Sequence, residues 1–330
     1  MAVAEIPLEE TIVRKERSLL EESLIRLVRN KVAVISLIFI AVLVLSAIFA
    51  NFIAPFHFAE QDLLNNNAVP QWMLPLLPAN AVNYATISDK FPLGADHLGR
   101  DLFSRAIYGA RVSLGFAFVA SLVSLLVGTI YGMVSGYVGG RVDDFMMRIV
   151  DFLYAFPFLV VVILLQTYFK AIERRGGAGF FFTLNDQMGG MLFLFIAIGL
   201  IDWIGMARIA RGQVLSYKET EFVEAAHAVG ASDSRIIMRH LLPNILGPLI
   251  VAESLNIPSY IFLEAFLSFI GLGVNPPTPS WGIMISEAVQ SLRSYPNQIL
   301  VPAVALSLTT LAFNFLGDGL RDALDPRLKR

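Results

Sequence analysis

The sequence predicts an all-α integral membrane protein with six transmembrane helices and both termini on the cytoplasmic side. Three observations carry that expectation. Of 330 residues, 56% are hydrophobic and 16% charged, where soluble domains run near roughly a half and a quarter, and the mean hydropathy is +0.65. Six apolar runs approach the ~20 residues needed to cross ~30 Å of hydrocarbon. Lysine and arginine, finally, are distributed unequally between alternate connections.

Residues 1–31 form a charged cytoplasmic segment that does not read as a cleavable leader. Within it Leu19, Leu20, Leu24, Leu27 and Val28 recur at helical spacing among Glu21, Glu22, Arg26 and Arg29. Such an amphipathic helix either lies in the headgroup plane or runs directly into the first span. That span covers residues 32–54 without a charge, and an extracytoplasmic loop occupies 55–111. A transmembrane domain follows over 112–320, with spans at 112–138, 152–169, 188–207, 245–270 and 299–317. Asp202 interrupts the fourth span, and the fifth contains Glu253 and Glu264. Residues 321–330 return to the cytoplasm. This arrangement puts seventeen of the 25 lysines and arginines inside and eight outside. The outer cluster Lys170, Arg174 and Arg175 runs against the rule.

Gly128, Gly132, Gly136 and Gly140 continue a stripe of small residues from Ala120 and Ser124. Four-residue spacing places them on one helical face, where another backbone can approach closely. Packing within the chain is favoured over a subunit contact. Prolines at 157, 243, 248, 258 and 302 fall in or beside spans, where each frees a carbonyl. Glu253 and Glu264 are eleven residues apart and therefore within about 20° on one face. A carboxylate facing lipid is costly, so this face looks into protein or an aqueous path. With Asp202 these acids are candidate translocation-path residues. A hydrogen-bonded packing role is the competing account, and a proton-coupled secondary transporter using Glu253 and Glu264 is the alternative function. That alternative requires an inverted repeat of spans, and none is visible.

Other chemistry has little support. The near-neutral charge of -2 gives no reason to invoke nucleic acid, and the absence of cysteine removes disulfides and thiolate metal sites. His57, His97, His227 and His240 are scattered over both sides, so no metal site is expected. Neither a nucleophile–base grouping nor a phosphate-binding glycine loop ending in lysine is present. The chain is expected to be no enzyme and to hold no cofactor.

The largest inner loop, 208–243, carries the most specific pattern. It contains Glu224-Ala225-Ala226-His227-Ala228-Val229-Gly230, a turn at Ala231-Ser232-Asp233, and a second helical stretch ending at Leu242-Pro243. Alanines favour helix, Gly230 suits a left-handed helix end, and Ser232 or Asp233 suits the next cap. Phe222, Val223, Ala226 and Val229 would give the first helix an apolar face outside the membrane, which predicts a protein partner.

This loop resembles the "EAA" loop of permease subunits of binding-protein-dependent ABC importers. The runs 93–101, 267–273 (Leu-Ser-Phe-Ile-Gly-Leu-Gly), 276–282 (Pro-Pro-Thr-Pro-Ser-Trp-Gly) and 314–327 resemble the peptide and nickel branch. Within that branch they are most similar to the C-type permease of dipeptide and oligopeptide systems. The resemblance implies a type I importer fold in the cytoplasmic membrane of a prokaryote. It implies a second, non-identical permease, two cytoplasmic ATPases that bind ATP and magnesium, and an extracytoplasmic substrate-binding protein. Glu224, Ala225, Ala226, Gly230, Leu242 and Pro243 would then couple this chain to an ATPase. Ala95 stands where that family has threonine, and the loops at 55–90 and 171–187 are longer than is usual for it.

Overall fold

Helix caps and proline breaks set the boundaries of a helical bundle. The computed structural model describes residues 19–78, 82–83 and 85–324. Expectations placed on residues 1–18 and 325–330 lie outside the described residues. No strand occurs among those described, only isolated bridges at Val69–Ile87 and Ala95–Asp101.

The first helix, α1 (Leu19–Arg29), is separate from α2 (Lys31–Ile48). Asn30 divides them, because its Oδ1 accepts from Ala33 N at 3.2 Å and caps α2. Leu27 of α1 approaches Gly319, while Leu24 and Val28 stay exposed. That geometry fits a helix lying along the bundle more than a continuous first span. On α2, Ala33, Ser36, Ile40 and Ala47 are buried, whereas Ile35, Ile38, Val42 and Leu45 are exposed. In water such a face would be unfavourable by ~25 cal/mol per Å²; lipid removes that cost. Phe49 ends α2, and the predicted span to residue 54 finishes in a short turn of helix, Ala50–Ile53.

The second span was expected at 112–138, but α3 runs Leu102–Val138, with a wide π-type turn at Ser124–Gly128. Asp101 caps it by accepting from Ser104 N at 2.8 Å, so the helix starts ten residues earlier. At 1.5 Å per residue it is longer than the hydrocarbon core, and its first turns are buried among outer segments. Next come α4 (Gly140–Tyr154) and α5 (Phe158–Arg174), which meet at 74°. Pro157 starts α5 and disfavours helix in the residue before it. The predicted third span at 152–169 therefore begins within α4 and crosses this break.

The outer connection holds α6 (Phe180–Gln187). The fourth span is α7 (Met191–Gly199) and α8 (Trp203–Tyr217), interrupted at Leu200–Asp202. Because α8 continues to Tyr217, the first ten residues of the predicted 208–243 loop are helical. The loop holds α9 (Glu221–Ala228), after which α10 runs from Asp233 to Phe269. Finally α11 (Trp281–Ala288) and α12 (Asn297–Leu324) close the bundle. Among the described residues five helices are long and apolar enough to span a membrane, and α5 with its bent partner supplies a sixth. The all-α membrane fold is thus as expected.

Gly128, Gly132 and Gly136 seat α8 against α3. A Cβ on Gly132 would lie 2.2 Å from Ala207 O, and one on Gly128 2.6 Å from Met206 Cβ. Gly140 does not belong to this stripe. Its φ is +55° and a Cβ there would meet nothing within 4 Å, so it serves the turn into α4. The helix ends before it, and the four-residue register ends with it.

Candidate coupling site and buried carboxylates

The inner loop is held by its own apolar face. Val223 and Ala226 of α9 are buried against Ile236, Leu241 and Ile245 of α10 and Val214 of α8. This corrects the expected partner face: only Phe222 and Val229 of the four apolar residues are exposed, Val229 by 84%. Three-residue spacing turns Val223 and Ala226 toward the bundle together. Glu224 and Ala225 are exposed beside Phe222, and Glu224 sits in the first turn, where a negative charge complements the helix dipole. Gly230 takes φ +79°, with Ala231 N donating to Ala226 O at 3.0 Å and Gly230 N to His227 O at 2.9 Å. A Cβ at Gly230 would meet nothing within 4 Å, so backbone conformation alone requires glycine there.

Ser232 occupies the cap position of α10 without a side-chain hydrogen bond. Asp233 instead accepts from Tyr137 Oη at 2.8 Å, and the Tyr137 ring stacks on His227 at 6.4 Å. The end of α3 therefore holds both halves of the loop. Pro243 does not interrupt α10. The wide turn at Ile236–Leu241, immediately before Leu242, absorbs the missing N–H, and Asn244 Nδ2 donates to His240 O at 2.7 Å. On the same side Arg211 forms a two-pronged pair with Asp143, 2.6 and 2.5 Å long, and Ser135 Oγ donates to the same carboxylate. This clamp fixes α4 to α3 and α8.

Glu253 and Glu264 do share one face of α10, and that face meets α3. Ser113 Oγ donates to Glu264 Oε2 at 2.6 Å and Ser268 Oγ to its Oε1 at 2.6 Å. Ser124 Oγ donates to Glu253 Oε2 at 3.1 Å and Tyr260 Oη to its Oε1 at 2.9 Å. Ser113 and Ser124 are themselves eleven residues apart, so two antiparallel helices match partners at equal spacing. Glu264 has no solvent exposure and Glu253 is 3% exposed. Both carboxyls are hydrogen-bonded packing groups here. Asp202 lies beside Tyr260 and Glu253, and its Oδ2 lacks a hydrogen-bond partner among the described residues. The serine spacing was the signal that could have revealed this ladder from the sequence.

At the opposite end, the 93–101 motif folds into a tight turn with positive φ at Gly94 and Gly99. Asp96 Oδ1 accepts from Leu98 N and Arg100 N, and Asp96 Oδ2 accepts from Arg100 Nε at 2.6 Å. Arg100 and Arg105 both donate to Glu287 Oε2 on α11, at 2.9 and 2.7 Å. Trp281 is wholly buried, donating Nε1–H to Ala106 O at 3.0 Å. These bonds bring motifs far apart in sequence into one place. Ala95 is fully buried, with its O accepting from Gln298.

A family model described as the binding-protein-dependent transport system inner membrane component matches residues 128–330. A second, the N-terminal TM domain of oligopeptide transport permease C, matches residues 18–70. The chain is 39% identical over 321 residues to the oligopeptide transport system permease protein OppC of Bacillus subtilis, covering 97% of this chain and 94% of that one. It is 40% identical over 322 residues to the dipeptide transport system permease protein DppC of the same organism, covering 97% and 90%. Over 311 residues it is 40% identical to OppC of Escherichia coli, covering 94% and 92%. Among solved structures, a chain of the inward-facing MetNI methionine ABC transporter superposes with a TM-score of 0.51 at 18% identity. That superposition covers 68% of this chain and 98% of that chain, and it speaks for the fold.

Proposed function

We propose, since the chain belongs to the family of binding-protein-dependent transport system inner membrane components, that it is one permease subunit of an ATP-driven peptide importer. Its relatives named for oligopeptide and dipeptide transport support the peptide class. It forms half of a translocation pathway in the cytoplasmic membrane of a prokaryote, beside a second permease. Two cytoplasmic ATPases supply nucleotide hydrolysis, and an extracytoplasmic binding protein delivers the peptide.

The observation that carries the coupling role is the build of the 221–232 segment. A rigid element is needed to transmit displacement. Here Val223 and Ala226 lock α9 to α8 and α10, while Glu224, Ala225 and Val229 remain exposed for an ATPase cleft. Motion imposed on α9 reaches the spans through α10, whose helix continues unbroken from the loop across the bundle. The glutamates of α10 hold it to α3 on the way. A proton-coupled mechanism gains no support from carboxyls enclosed by serine and tyrosine hydroxyls.

The test is reconstitution in vesicles with the second permease, the ATPases and a loaded binding protein. Uptake should require all components and ATP. Peptide accumulation by this polypeptide alone, without an ATP-hydrolysing companion, would overturn the assignment.

A further inference from the structure

Two members of the cationic cluster that violates the charge rule line a cavity. At the end of the bundle opposite the coupling loop, a space of about 560 Å³ opens between α5, the 271–276 turn and α11. That volume lies within the ~300–1,000 Å³ usual for small-ligand sites. Lys170 and Arg174 line it one helical turn apart on α5, so both project from one face.

Two acids share the lining, and Glu173 opposes the charge of Lys170 but leaves that of Arg174 uncompensated. Glu287, on the α11 wall, already accepts from Arg100 and Arg105. Glu173 holds its Oε1 against Asn185 Nδ2 at 3.0 Å and Asn275 Nδ2 at 3.2 Å. Lys170 donates a single hydrogen bond, to Gly271 O at 3.1 Å, which leaves two of its three N–H donors available. The Arg174 guanidinium forms no hydrogen bond or ion pair with any described residue. Two cations with free donors at the wall of a concave, partly apolar space suit one planar anion.

We propose that Lys170 and Arg174 form a subsite for the free α-carboxylate of the transported peptide, which they receive as it leaves the binding protein. The inference rests on the peptide-importer reading above. The same residues could instead meet an acidic surface of the binding protein, but a concave space suits a small ligand better than a flat protein face. The placement of these two cations on the outer side, at odds with the insertion rule, fits a role in recognition and not in topology.

The test uses the reconstituted full complex with one binding protein at saturation, comparing transport rates of trialanine and trialanine amide. Because the binding protein is constant, a change in the ratio between permease variants reports the permease. Lys170→Gln with Arg174→Gln should lower the trialanine-to-amide ratio about tenfold, the loss expected for one charge-assisted contact. Lys170→Arg should keep the ratio within about twofold of the unmodified complex, since it retains the charge. Arg174 is exposed, so Arg174→Gln alone should lower the ratio without affecting assembly. An unchanged ratio in the double variant, with both rates intact or falling together, overturns the subsite and leaves the importer standing. If both fall together and a titration of the binding protein shows that half-maximal rate needs a higher concentration, the cations serve docking and the subsite is overturned. If the unmodified complex shows no ATP-dependent uptake of trialanine, both readings fail.

Discussion

Tyr137, near the inner end of the second membrane helix, donates its hydroxyl to Asp233 Oδ1 at 2.8 Å, at the start of the long fifth one. Its ring also stacks on His227 of α9. One side chain thus fixes the loop from both sides of its Gly230 corner. Tyr137→Phe removes a hydrogen bond of about 0.5–1.5 kcal/mol and leaves the ring in place. The expected result is normal insertion with more ATP hydrolysed per peptide imported, measured in vesicles. A stoichiometry equal to that of the unmodified complex would exclude this positioning role.

Gly230→Val should do more damage at the same corner. A β-branched residue at φ +79° is strained by roughly 1–2 kcal/mol or more, although open space surrounds it. Peptide uptake should fall at least about tenfold with the protein still in the membrane. Gly230→Asn, which tolerates left-handed backbone better, should recover most of it. Equal uptake by all three forms would remove the conformational argument.

The glycine seam makes a stability prediction. Gly132→Leu cannot be accommodated without separating the second and fourth spans, because the first side-chain atom already collides with Ala207 O. Its melting temperature in detergent should drop sharply. Gly115→Ala meets nothing within 4 Å and gains helix propensity, so it should be neutral or slightly stabilising. Equal melting temperatures for the two variants would contradict the seam.

For the carboxylate ladder, Glu264→Gln should preserve assembly and uptake, since an amide oxygen can still accept from Ser113 or Ser268. Glu264→Leu leaves both hydroxyls without that acceptor and should be destabilising by about 1–3 kcal/mol. Loss of uptake in the glutamine form, with assembly intact, would revive a proton-carrying role.

The outer loop offers a pH test. The Lys90 ammonium, 2.6 Å from Asp62, and the Asn65 amide hold the Asp62 carboxyl below its ordinary range. A carboxyl lowered on folding contributes stability above its unfolded pKa and loses it as pH falls through the folded value. Hydrogen-exchange protection of residues 62–65 should therefore weaken on acidification below the usual carboxylate range. In Asp62→Asn that pH dependence should disappear; its persistence would point to another group.

Much of this protein was legible in one dimension. Apolar runs and the lysine–arginine imbalance determined an all-α membrane chain, and the order of Glu224, Ala225, Ala226 and Gly230 marked the inner loop proposed to meet an ATPase. These are local properties, because bilayer thickness sets span length and a single backbone conformation requires the glycine. Tertiary structure decided the rest. It turned Val223 and Ala226 inward, carried α3 back to Leu102 and separated Gly140 from the seam. It paired Glu253 and Glu264 with Ser124 and Ser113, and gathered Arg100, Arg105 and Glu287 across more than 180 residues of chain. Such pairings depend on which helix faces which, and periodicity within one helix does not by itself say which neighbour it meets.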